Sequence, residues 1–295
     1  MKFEGIMPAL ITPLENDGNT VYEKVARELI ESLLSQGADG FYVLGSTGEG
    51  LLLTEEERRK MCEIAVSQVN GRKPVICHIA AMNFDEAIRL TKHAEQAGAD
   101  AVSAIPPVFF AYGQNEIYDY YKTLATSSNL PFIVYNHVSV GGGMTAETVA
   151  KLYEIDNVTG VKWTLYNYFD MIRLKEMTHG EINIINGPDE LLLSGLSMGA
   201  DAGIGTTYNV MLPRYLEIYR NFKEGKMEDA RKVQASACEV ISCMFEYGVI
   251  PSVKAMSTMM GFDVGQAVKP QLQMNDETMA ALKEKALKAG CTLEG

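Results

Sequence analysis

The strongest constraint on this chain is an alternation. Short apolar runs rich in β-branched residues are separated by longer stretches of helical period, and the pattern holds for most of the length. Candidate strands are GIMPALIT (5–12), GFYVLG (40–45), PVICHIA (74–80), AVSAI (101–105), FIVYN (132–136), VTGVK (158–162), INIIN (182–186) and AGIG (202–205). A helix is expected after each. Thr54 with Glu57 and Asn83 with Glu86 have capping-box spacing, and Thr145 stands as an N-cap before TAETVAKLYE. Gly37 and Gly98 sit where a helix end hands over to the next strand. Eight strand–helix units in series predict an α/β chain folded as a closed (β/α)8 TIM barrel over 1–225, with a doubly wound open sheet as the alternative. Residues 226–295 contain no strand-like run and read as a C-terminal extension of three helices packed on the barrel.

Charge and cysteine content narrow the partners. Lys plus Arg total 26 against 38 Asp plus Glu, a net charge of −12 with both signs interspersed. Such a surface argues against nucleic acid and anionic membrane as partners, so an anionic substrate must be attracted locally. The five cysteines are odd in number, contain no C-x-x-C pair, and are scattered apart from Cys238 and Cys243, which suggests a reducing compartment and no zinc site. The start, MKFEGIMPALITPLE, has Glu4 and two prolines where a signal peptide needs an unbroken apolar core. No stretch approaches the ~20 apolar residues of a membrane span, so a cytoplasmic protein is expected.

In a barrel of this kind chemistry gathers at the C-terminal ends of the strands. The second strand leads into LGSTGEG, where a Gly-Ser-Thr-Gly turn can aim backbone N–H groups and the hydroxyls of Ser46 and Thr47 at a carboxylate, or can simply begin a helix. The fifth ends in Tyr135 and Asn136, and Tyr135 alone would pass for an amphipathic strand-end aromatic. The sixth ends at Lys162, followed by Trp163 and Thr164. The seventh ends in NGPDE, where Gly187 precedes Asp189 and Glu190, acids that a helix dipole would also favour. The eighth runs into GTTYN, with Thr206 and Thr207. A lysine at a rigid, apolar strand end is a candidate imine-forming amine, because burial favours the neutral nucleophile. Trp163 is expected to supply its apolar surroundings.

With these motifs in place, the chain resembles the pyruvate-dependent aldolase family that includes dihydrodipicolinate synthase and N-acetylneuraminate lyase. GSTGEGLLLTEEER, VYN, GVKWT and INGPDELLLSGLSMGADAGIGTTYN carry the resemblance in order, followed by the helical tail. The resemblance implies a homotetramer, a Schiff base between Lys162 and pyruvate, and no metal or organic cofactor. It implies Tyr135 as acid/base and Ser46 and Thr47 as carboxylate ligands, with Ser46 also in the catalytic set. The synthase branch has an arginine soon after Tyr-Asn, whereas YNHVSVGGGMT has none. Thr164, Gly187, Asp189, Glu190 and Thr206 match the positions at which the lyase branch holds a sugar chain. The expectation is therefore cleavage of N-acetylneuraminate to N-acetylmannosamine and pyruvate. Alternatives are an aldolase for another 2-keto-3-deoxy sugar acid, a dihydrodipicolinate synthase, and a non-catalytic keto-acid sensor. Two departures stand out: Phe109 and Phe110 replace a tyrosine pair of the family's proton relay, leaving Tyr112, Ser46 or water to serve, and HVSVGGG lacks the proline that the lyase branch carries after Tyr-Asn.

Overall fold

A computed structural model describes residues 2–16, 18–137 and 143–293. All eight expected strands form: β1 (Gly5–Pro8), β2 (Phe41–Val43), β3 (Val75–His78), β4 (Ala101–Ala104), β5 (Phe132–His137), β6 (Val158–Thr164), β7 (Asn183–Asn186) and β8 (Ala202–Gly205). They make one parallel sheet in the order β1-β8-β7-β6-β5-β4-β3-β2. The two ends meet where Ala9 bridges Tyr42 in parallel and the Leu10 N–H donates to the Tyr42 carbonyl at 2.8 Å. That closure makes a barrel and rules out the open sheet. The first apolar run was expected to be strand through residue 12, but its ladder ends at Pro8. Beyond it the chain stays buried and turns to loops instead: the Ile11 N–H donates to Asn209 Oδ1 and the Thr12 hydroxyl to the Gly48 carbonyl at 2.7 Å.

Helices α1 (Glu23–Ser35), α2 (Glu55–Val69), α3 (Phe84–Ala97), α4 (Gln114–Ala125), α5 (Ala146–Tyr153), α6 (Tyr168–Met177), α7 (Leu192–Ser197) and α8 (Tyr208–Lys223) follow the strands in turn. The expected caps form. Thr54 Oγ1 accepts from the Glu57 N–H, Asn83 Oδ1 from the Glu86 N–H and Thr145 Oγ1 from the Thr148 N–H, bonds each worth about 1 kcal/mol of helix stability. Cys62 on α2 and Cys77 on β3 come within 3.1 Å of each other as free thiols. Among the described residues no helix is long and apolar enough to cross a membrane.

Three more helices follow: α9 (Met227–Phe245), α10 (Val249–Met259) and α11 (Asp276–Lys288). Two of them grip loops at the mouth of the barrel. Gln234 on α9 donates to the Asp189 carbonyl and accepts from the Leu193 N–H, holding the turn after β7. Lys254 on α10 meets Glu49 of the loop after β2 at 2.6 Å, with both side chains sealed from water. Glu49 also accepts from the Val268 N–H at 2.6 Å and from Gln271 at 2.5 Å.

Candidate active site

The β5–β6 ladder sets Tyr135 directly beside Lys162. Both are buried, at 3% and 5% exposure. The Lys162 Nζ lies 4.1 Å from the centre of the Tyr135 ring and 4.7 Å from that of Tyr42, and it makes no ion pair among the described residues. Ring faces attract an ammonium through their quadrupole without neutralising it, so the amine is held but not consumed by a carboxylate. Trp163 does not supply the apolar surroundings of Lys162, contrary to expectation. Successive side chains on a strand point to opposite faces, so the wholly buried Trp163 faces away from Lys162, and Tyr42 and Tyr135 form the apolar walls.

Four residues that the sequence did not single out join this site. The rings of Tyr42, His78 and Tyr135 stand 6.0 to 6.2 Å apart in tilted and edge-on contacts. The Tyr42 hydroxyl donates to Ser103 Oγ at 3.1 Å, and His78 Nε2 accepts from the Ile105 N–H at 3.2 Å. Burial raises the Tyr42 phenol well above its ordinary range. Burial, followed by the Arg58 and Lys162 charges, lowers His78 well below its own range and keeps it neutral. The available signal was a polar ring inside each of two apolar runs, GFYVLG and PVICHIA. His137, at the end of β5, is the fourth.

Above this layer opens a cavity of about 320 Å³. Ser46, Thr47, Thr164, Gly187, Asp189, Glu190 and Thr206, all seven expected substrate-binding positions, line it together with His137. Lys162 and Tyr135 lie deeper and are not part of that lining. Its other wall is apolar, made by Ile241 and Phe245 of α9 and Val249 and Ile250 of α10. The GSTGEG loop is sharply folded. Leu44 and Glu49 both take left-handed backbone angles, and a Cβ at Gly50 would fall 1.9 Å from the Leu44 carbonyl oxygen, so only glycine fits. Ser46 is left exposed, whereas Thr47 is buried and its hydroxyl pairs with that of Thr206 at 2.6 Å.

The two acids after β7 are more than first-turn helix residues. Asp189 is buried, and its Oδ2 accepts from both the N–H and the hydroxyl of Thr207 at 2.7 Å, fixing the turn after β8. Burial outweighs those bonds and pushes its carboxyl up to about 6. Glu190 Oε1 accepts from the Tyr166 hydroxyl at 2.6 Å, and that bond drives the phenol up to about 12. At Gly187 a Cβ would meet the Thr164 Oγ1 at 1.9 Å, so glycine lets the two strand ends close together. The Thr164 Oγ1 itself is buried and finds no protein partner among the described residues.

Phe109 and Phe110 lie outside this cavity. They are 82% and 63% exposed with rings 4.8 Å apart, and Tyr112 lines a different cavity with Phe84 and Tyr120. Tyr112 is thus not placed among the residues around Lys162. Of HVSVGGG, residues 138–142 lie outside the described residues, so the expectations about the missing arginine and proline have no structural counterpart.

A lysine on the sixth strand, ring-walled beneath a hydroxyl-rich mouth, matches a family of barrels. The model of the dihydrodipicolinate synthetase family covers residues 2–289. The chain belongs to that family. It is 34% identical to the N-acetylneuraminate lyase of Rhizobium meliloti (strain 1021) over 284 residues, 96% of this chain and 94% of that protein. It is 32% identical to an N-acetylneuraminate lyase of Clostridium perfringens over 283 residues, 95% of this chain and 98% of that one. Among solved structures it resembles the sialic acid aldolase of Ruminococcus gnavus with a TM-score of 0.94 at 30% identity, covering 98% of each chain. The Proteus mirabilis N-acetylneuraminate lyase superposes with a TM-score of 0.94 at 28% identity, over 99% of this chain and 100% of that one.

Proposed function

We propose that this chain is a Schiff-base lyase that cleaves N-acetylneuraminate to N-acetylmannosamine and pyruvate. The observation that carries the reading is Lys162, buried beside Tyr135 without a carboxylate partner among the described residues, beneath the cavity that gathers Ser46, Thr47 and Thr206. The relatives named as N-acetylneuraminate lyases support the substrate.

In this mechanism the neutral Lys162 amine attacks the ketone carbon, and loss of water leaves an iminium. The C4 hydroxyl then gives up its proton to a base, the C3–C4 bond breaks, and its electron pair flows into the iminium to give an enamine. N-Acetylmannosamine leaves as the aldehyde. Protonation of the enamine at C3 and hydrolysis release pyruvate and regenerate the amine. Tyr135 carries the protons, and Ser46 and Thr47 hold the carboxylate with loop N–H groups. Asp189, Glu190, Thr164, Gly187 and Thr206 form the part of the site that faces the sugar chain. Asp189 acts there chiefly by holding the Thr206–Thr207 turn. We assign residues 1–225 to the catalytic barrel and 226–295 to a helical extension packed on it. The active form is a cytoplasmic homotetramer needing no cofactor.

The test is pyruvate release from N-acetylneuraminate, coupled to lactate dehydrogenase, for the wild type and Lys162→Ala. Release by the wild type alone is expected, and borohydride with pyruvate should fix an adduct on Lys162. A folded wild type that releases no pyruvate would overturn the substrate. Absence of the adduct would overturn the chemistry and favour a sensor.

A further inference from the structure

The β5–β6 ladder builds two layers of side chains into the barrel. Tyr135 stands beside Lys162, and two residues further along each strand His137 stands beside Thr164. Two residues advance a strand by ~7 Å and return to the same face. His137 and Thr164 are therefore one layer nearer the mouth than the pair assigned to imine chemistry, and both line the cavity. Around Lys162 itself stand the rings of Tyr42, His78 and Tyr135. A substrate joined to Lys162 can extend its chain only upward, past His137.

The chemistry of His137 suits that position. Its ring meets the edge of Tyr135 at 5.5 Å and 86°, which fixes its orientation. Burial, then the Lys162 charge, brings it down to about 4, so at neutral pH it is an uncharged imidazole. In that form it is a polar ring that adds no cation beside the iminium. Thr164, paired with His137 in the ladder, has the buried hydroxyl oxygen that finds no protein partner among the described residues.

Resting on the lyase reading above, the geometry points to His137 as a specificity-determining residue. With Thr164 it hydrogen-bonds the polar chain beyond the cleaved carbon–carbon bond, selecting sugar acids that carry an amide or hydroxyl there. Capture of pyruvate by Lys162 does not depend on it.

The experiment compares wild type, His137→Phe and His137→Gln in steady-state cleavage of N-acetylneuraminate and of its analogue with a hydroxyl in place of the acetamido group. Phenylalanine keeps a ring against Tyr135 and loses the polar nitrogens, whereas glutamine keeps polar atoms and loses the ring. His137→Phe should raise KM about tenfold with kcat within about threefold, and should change the preference between the two acids. His137→Gln should stay within about threefold of the wild-type KM. Borohydride trapping with pyruvate alone should be the same in all three. A His137→Phe variant with wild-type KM and preference would overturn the proposal, as would equal loss in both variants or a shared loss of pyruvate trapping. A wild type that traps pyruvate yet cleaves neither acid would instead overturn the lyase reading, and this proposal with it.

Discussion

Tyr135→Phe is the sharpest probe at the scale of one residue, because it keeps the ring face 4.1 Å from Lys162 and removes only the hydroxyl. Loss of a general acid/base costs roughly 10²–10⁴-fold, so kcat should fall by that order while the protein stays folded. Rapid-quench borohydride trapping should show slower imine formation; an unchanged rate would move the acid/base role elsewhere. Asp189 needs a different substitution. Asp189→Leu would strand the buried N–H and hydroxyl of Thr207, confounding any effect on sugar binding with lost stability. Asp189→Asn keeps an acceptor and removes the titration. An unfolded aspartate titrates near ~3.9, whereas burial lifts the folded group to about 6. Between those values the folded chain holds the extra proton, so this group's contribution to stability falls as pH rises through the window and is gone above it. The unfolding free energy of Asp189→Asn relative to wild type, followed by urea titration, should therefore rise from about pH 4 to about pH 6 and then level off. A flat difference would mean that the Thr207 bonds outweigh burial.

Among the elements, the loop after β2 depends on a helix far along the chain. Glu49 and Lys254 form an ion pair at 2.6 Å with both side chains sealed, and Glu49 sits two residues after Thr47. Removing one partner of a buried pair strands the other's charge, so Lys254→Met should cost about 3–5 kcal/mol in urea unfolding. The double variant with Glu49→Gln should lose less than the two single losses combined, and additivity would deny the coupling. The end of β7 is equally tight. Gly187→Ala must push the Thr164 hydroxyl aside, given the 1.9 Å contact its Cβ would make. It should raise KM for the sugar acid and leave pyruvate trapping intact, a split that simple misfolding would not produce.

For the whole molecule, closure of the sheet by the Ala9–Tyr42 bridge brings residues from eight separate strand ends around one mouth. Outside that mouth, Phe109 and Phe110 are 82% and 63% exposed with their rings 4.8 Å apart, an apolar pair that is costly to leave in water. The proposed tetramer would cover such a surface. Phe109→Asp with Phe110→Asp should lower the mass measured by sedimentation equilibrium, and an unchanged mass would place the contacts elsewhere.

What the sequence determined by itself was local. Eight apolar runs, three side-chain caps and the alternation between them were enough to specify a strand–helix series, because period and capping are read within a few residues. Lys162 was conspicuous for the same reason, as a charge closing the apolar run VTGVK, although β6 itself continues to Thr164. Trp163 misled because adjacency in sequence is opposition across a sheet. Tyr42, His78, Ser103 and His137 acquired their roles only when closure and register brought distant strands side by side. The Glu49–Lys254 pair and the Cys62–Cys77 contact likewise join segments that no short-range pattern connects. Long-range register is set by how the whole core packs, so the tertiary structure alone decided which polar groups share the dry interior around the lysine.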